Sequence, residues 1–178
     1  TFKTPPLSWT TDAAIAIGIF GGVIGVIGTI TNWGTLTGGI NNGNGLSGPI
    51  IRTLNNAQNG LVYTGTLPSN YNIIITASGY GSLVGSAING TTTFGLSSLS
   101  TFRAGTFQDV LQGIGGSNLT NTGALTGTVT GTQSGYNWTL TYDGANWDLL
   151  MALAGPSAAD TTRMPPSICA APVIMFFT

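Results

Sequence analysis

The sequence predicts an all-β fold: an Ig-like or pilin-like antiparallel β-sandwich preceded by an N-terminal apolar arm. Beyond residue 50 the chain is a succession of short runs rich in β-branched and aromatic residues. Turn chemistry separates those runs, as at Asn55-Asn56, Asn89-Gly90 and Asp143-Gly144. Outside the N-terminal segment only one short stretch, 107–114 (FQDVLQGI), reads as a helix, with Val110 and Ile114 on one side. Many short strands at this spacing are the pattern of a sandwich.

Residues 1–12 form a polar lead in which Pro5-Pro6 forbids helix and favours extended chain. Residues 13–30 (AAIAIGIFGGVIGVIGTI) are continuously apolar. As a helix they would span about 27 Å, near the thickness of a bilayer core. Their five glycines, however, would cost about 0.8–1 kcal/mol each relative to alanine. As a strand, Ile15, Ile17 and Ile19 face one way and Ala14, Ala16 and Gly18 the other. A phase change at Gly21-Gly22 then marks a bulge or bend. Strand is the preferred reading, helix the alternative. Residues 1–31 thus form an arm for subunit contact, 32–49 a Gly- and Asn-rich joint, and 50–178 the β-sandwich domain.

Within that domain, strands are expected over 50–54, 61–67, 71–78, 91–96, 99–105, 124–133, 136–142, 146–152 and 172–177. The hairpin over 136–152 is the clearest local structure. With Tyr142 opposite Ala145, its Trp138, Leu140, Trp147, Leu149 and Met151 share one apolar face. Asn137, Thr139 and Thr141 face away from it.

Composition constrains function. The charged residues are Lys3, three Arg and five Asp, only 5% of the chain, with no Glu and no His. Four cations cannot lay down the basic stripe that nucleic-acid binding needs. Without His, Ser-His-Asp and Cys-His centres are impossible, and most zinc sites with them. The set Asp143, Asn146 and Asp148 lacks the full ligand complement of a calcium loop. Gly18–Val23 lacks the lysine of a phosphate loop. No catalytic, cofactor or metal residues are assigned, and the chain reads as non-enzymatic. Cys169 is the single cysteine and reads as a small buried hydrophobe.

A surface of Thr, Ser, Asn and Gly suits a polymer or an acidic exterior. Three sequons, at Asn89, Asn118 and Asn137, point to N-linked glycans and an extracellular setting, with Asn137 best placed. The start at Thr1 fits removal of a secretory signal.

A nearly charge-free β-domain with sequons, a Pro-containing lead (TFKTPPLSW) and an apolar arm resembles the archaeal thread pilins, glycosylated surface filaments joined by donor-strand complementation. Archaeal type IV pilins, with an N-terminal core helix, are the rival resemblance. The first resemblance implies head-to-tail polymerisation with copies of itself, with Ile15, Ile17, Ile19, Val23 and Ile24 entering a neighbour's groove, and a role in adhesion or biofilm. A β-sandwich viral coat protein and a carbohydrate-binding module with Trp9 or Trp33 exposed are readings from other classes.

Overall fold

A computed structural model describes residues 7–9, 15–16, 26–43, 51–122 and 128–155. The strands, in chain order, are β1 (Leu7–Trp9), β2 (Ile15–Ala16), β3 (Ile27–Asn32), β4 (Ile40–Asn42), β5 (Ile51–Asn56), β6 (Leu61–Thr66) and β7 (Asn70–Ile73). They continue as β8 (Leu83–Asn89), β9 (Thr93–Leu96), β10 (Gly105–Gln112), β11 (Thr128–Gln133), β12 (Tyr136–Tyr142) and β13 (Asn146–Leu153). A 3₁₀ turn covers Gly116–Asn118.

As far as β10, odd- and even-numbered strands separate into two sheets. Sheet A has the order β1-β3-β5-β7-β9, every neighbour parallel. Sheet B runs β2-β4-β6-β8-β10, again parallel, and then continues through β13, β12 and β11 as an antiparallel layer. The chain therefore alternates between the sheets, laying one strand in each per turn. The result is a stack of five rungs, β1/β2 to β9/β10, of the β-solenoid type.

Stacking explains which residues are buried. Ile30, Leu54, Tyr71 and Phe94 occupy one register column of sheet A and are all buried. Leu61, Leu83 and Leu111 form the matching column in sheet B. Each rung alone could not cover its apolar side chains; neighbouring rungs do it together. Where sheet A strands end, polar side chains turn inward and stack instead. Asn32 Nδ2 donates to Asn56 Oδ1 across 24 residues of sequence at 3.0 Å. Asn56 Nδ2 in turn donates to the carbonyls of Gln58 (2.8 Å) and Ser82 (3.1 Å). These amides replace backbone partners that a turn cannot supply, which is why both asparagines can be buried.

The all-β, two-sheet expectation holds. Strand direction does not: among the strands described, the antiparallel pairs are those linking β10 to β13, β13 to β12 and β12 to β11, and the rungs before them are parallel. Three local readings also change. Residues 107–114 do not form a helix; they lie largely within β10. Phe107 pairs with Leu149 and Leu111 with Trp147, so three residues of β10 oppose Asp148 alone. Asp109 adopts φ 54° in this bulge. Burying Phe107, Val110 and Leu111 across a bulge reproduces the three-to-four spacing of a helix. Residues 99–104 are irregular rather than strand. The stretch 32–49 contains β4 and the buried Leu36 and Ile40, so this part of it belongs to a rung.

The hairpin over β12 and β13 is present with the expected faces. Its register differs by two residues, Tyr142 pairing with Trp147. Asp143 caps the turn, its carboxylate accepting from the N–H groups of Ala145 and Asn146, both at 2.8 Å. An even slip preserves the faces, so Trp138, Leu140, Trp147, Leu149 and Met151 are all buried. The Trp147 indole N–H donates to the Ile114 carbonyl at 2.7 Å.

Candidate functional site

Two features of the stack carry functional potential: the outward face of sheet A and the two unlike ends. On the outward face, small polar side chains line up in register columns. Thr29 faces Thr53, and next to them run Thr31, Asn55, Asn72 and Gly95. Asn72 Nδ2 donates to Asn55 Oδ1 at 3.0 Å, and Asn55 Nδ2 to Thr31 Oγ1 at 3.2 Å. This ladder ends at Gly95, where a β-carbon would lie 2.6 Å from Asn72 Oδ1. Glycine is therefore needed there for space, not for its backbone freedom.

The columns floor an open groove of about 480 Å³. The turn Ser97-Ser98-Leu99 after β9 forms one wall, and Gln133 at the end of β11 also lines it. Ser97 fixes that wall: its Oγ accepts from Leu99 N–H (3.3 Å) and its carbonyl from Ser100 N–H (3.1 Å). Leu99 is 50% exposed. Among the described residues no titratable side chain lines the groove. Hydroxyls and amides can exchange hydrogen bonds with a ligand, but offer no group tuned for proton transfer.

The ends of the stack differ. At the β9 end, Leu119 forms a parallel bridge to Thr92. Asn121 then covers Phe94 on the free edge of sheet A. Its Oδ1 accepts from Phe94 N–H at 3.1 Å and its Nδ2 donates to the Phe94 carbonyl at 2.9 Å. One side-chain amide thus imitates a pairing strand. The antiparallel layer β11–β13 covers β10 in sheet B. At the other end, β1 and β2 are the outermost strands, and among the described residues nothing pairs with their outer edges.

The residues singled out from sequence fall as follows. Ile15 lies in β2 and pairs with Ile40 of its own chain. Ile17, Ile19, Val23 and Ile24 lie outside the described residues, as do Lys3 and Cys169. The described parts of the apolar segment, Ile15–Ala16 and Ile27–Ile30, are strand. Asn89 ends β8 and Asn137 lies on the solvent side of β12, both exposed. Asn118 is engaged in the fold: its Oδ1 accepts from Gly115 N–H (3.1 Å) and its Nδ2 donates to the Gly90 carbonyl (2.9 Å). The residues that loosely resemble a calcium loop have other partners. Asp148 Oδ1 accepts the Asp109 N–H in the β10 bulge (2.8 Å), and Asn146 Nδ2 donates to Asp109 Oδ1 (2.8 Å). Among the described residues no cluster of three His, Cys, Asp or Glu side chains could hold a metal ion. No helix among them is long and apolar enough to cross a membrane.

Neither the ladder nor the groove was found from sequence. A signal existed: Thr29-Ile-Thr-Asn32 recurs as Thr53-Leu-Asn-Asn56, in register in the stack. Two copies, followed by the divergent Asn70-Tyr-Asn-Ile73, make a faint repeat.

Comparison with known proteins gives no match: no protein family, no curated protein and no solved structure is significantly similar to this chain.

Proposed function

We propose that the chain is a non-enzymatic structural segment of an extracellular, glycosylated surface filament, joined to other copies through its N-terminal rung. The observation that carries this reading is the asymmetry of the stack. At one end Leu119 and Asn121 cover the edge of sheet A and β10 is covered by the antiparallel β13–β12–β11 layer, which ends on β11; the other presents two parallel strand edges without partners among the described residues. A parallel stack gains rungs by backbone pairing at such an edge, with no change to its core. The neutral surface and the exposed Asn89 and Asn137 sequons support an extracellular setting, with Asn137 the favoured glycan site. The likeness to thread pilins rests on composition and layout, and the parallel rungs do not follow from it. What the two share is assembly through the N-terminal region.

Electron microscopy and sedimentation of the full chain test the proposal, beside a variant carrying S8K and A16K on the outer rung. Charges on an edge strand oppose pairing. The wild type should form elongated assemblies, and the variant should remain monomeric with an unchanged circular dichroism spectrum. Equal assembly of both, or a monomeric wild type, overturns the reading.

A further inference from the structure

We infer that the groove on the outward face of sheet A binds a neutral, polyhydroxylated chain, a glycan lying along the axis of the stack. This inference is independent of assembly through the outer rung, because its residues come from β3, β5, β7, the turn after β9, and β11.

Shape sets the direction of the ligand. Thr29, Thr53 and Asn72 sit on three successive strands of sheet A, and the Ser97–Leu99 turn follows the fourth. Neighbouring strands lie about 4.8 Å apart, so the groove runs roughly 14 Å along the stack. That length suits a few sugar rings in a row. A peptide gains its affinity from main-chain pairing at a sheet edge, and this is a sheet face.

Chemistry sets the class. The lining offers Thr and Ser hydroxyls with Asn and Gln amides, each of which can both donate and accept, as sugar hydroxyls do. Asn55 and Asn72 each spend amide hydrogen on one ladder bond, and an amide carries two such hydrogens. The ladder also fixes both side chains before a ligand arrives, which lowers the ordering cost of binding. Among the described residues no cation lines the groove to select a phosphate, sulfate or uronate, and no carboxylate to select an amine. Leu99 supplies the apolar contact that the C–H face of a sugar ring requires. Trp33, one of the two aromatics that sequence offered for sugar binding, is exposed but is not among the residues lining the groove.

Amide chemical shifts of the full chain, titrated with defined oligosaccharides, test the inference. The probes are glucose hexasaccharides in α(1→4), β(1→4) and β(1→3) linkage, a neutral branched N-glycan released from a glycoprotein, and a hexamer of galacturonate. At least one neutral probe should shift Thr53, Asn55, Asn72 and Ser97–Leu99 saturably, with a dissociation constant on the order of 1 mM. The galacturonate hexamer should not. A linear hexasaccharide alone identifies a polysaccharide as the source, and the branched probe alone a protein-linked glycan. L99D should weaken binding at least tenfold and Q133A about threefold, with unchanged circular dichroism; these exposed or edge positions leave the core intact. No saturable shift with any neutral probe at about 20 mM overturns the inference, because even weak specific binding would show there. So do shifts outside the groove, or equal binding of the charged hexamer.

Discussion

Asparagine has two different jobs in this molecule, distinguished by burial. Asn56 is fully buried; it accepts from Asn32 Nδ2 and Gln58 N–H, and donates to the carbonyls of Gln58 and Ser82. N56L should therefore lower unfolding free energy by about 2–4 kcal/mol in urea denaturation, since several buried groups lose their partner at once. Asn55, one residue earlier, faces the groove, and N55A should cost less than about 1 kcal/mol. Titration follows the same logic. Burial pushes the Tyr63 and Tyr71 phenols well above their ordinary range, with hydrogen bonds donated by Asn42 and Asn56 opposing it. A pKa raised in the folded state means that stability is full below the ordinary phenol value of about 10 and falls as pH rises beyond it. Alkaline unfolding should thus begin above about pH 10, and Y71F should move its midpoint upward. The turn carboxylate of Asp143 behaves oppositely: bonds from the Asn146 and Ala145 N–H groups hold it below the usual range. Its contribution is present above the ordinary carboxylate value and is lost only as pH falls through the lowered one.

At the scale of elements, the two strands of the hairpin show what sequence can reveal and β10 shows what it hides. Trp138, Leu140, Trp147, Leu149 and Met151 alternate cleanly, and an even register slip leaves their faces unchanged. In β10, three residues opposite one break the alternation, and Phe107, Val110 and Ile114 then fall at helical spacing. Only the partner strand reveals the bulge, because Asp148 on β13 fills it by accepting the Asp109 N–H. D148A should cost about 1–2 kcal/mol by leaving that N–H without its acceptor. D109G relieves the positive φ but gives up the bond from Asn146, and should change stability by less than about 1 kcal/mol. The rungs were hidden for a different reason. Parallel pairing joins residues 17 to 28 apart, from Asn72 with Asn55 to Leu111 with Leu83, so no local pattern announces it. The groove was equally invisible, because Thr53, Ser98 and Gln133 become neighbours only once the rungs are stacked.

For the whole molecule the decisive question is why the stack stops at β9 and β10. Sheet B stops because β13 takes the edge of β10 in the antiparallel sense and leads away into a hairpin layer. Among the described residues sheet A has no such strand beyond β9, and its protection rests on the Thr92–Leu119 bridge and on Asn121. Asn121 satisfies both backbone groups of Phe94, yet it does so from a short irregular segment at the surface of the core. Removing its amide should therefore change association far more than stability. N121A is expected to lose about 1 kcal/mol, since Phe94 N–H and C=O can turn to water. At the same time it exposes an edge able to pair with another chain. With the β9 edge also open, further subunits can join head to tail, a contact that does not close on itself and lengthens the fibre. Sedimentation and electron microscopy should show N121A forming longer assemblies than the wild type. Adding S8K and A16K at the opposite edge should return it to monomer. If N121A associates no more than wild type, the β9 edge is protected by something other than this amide.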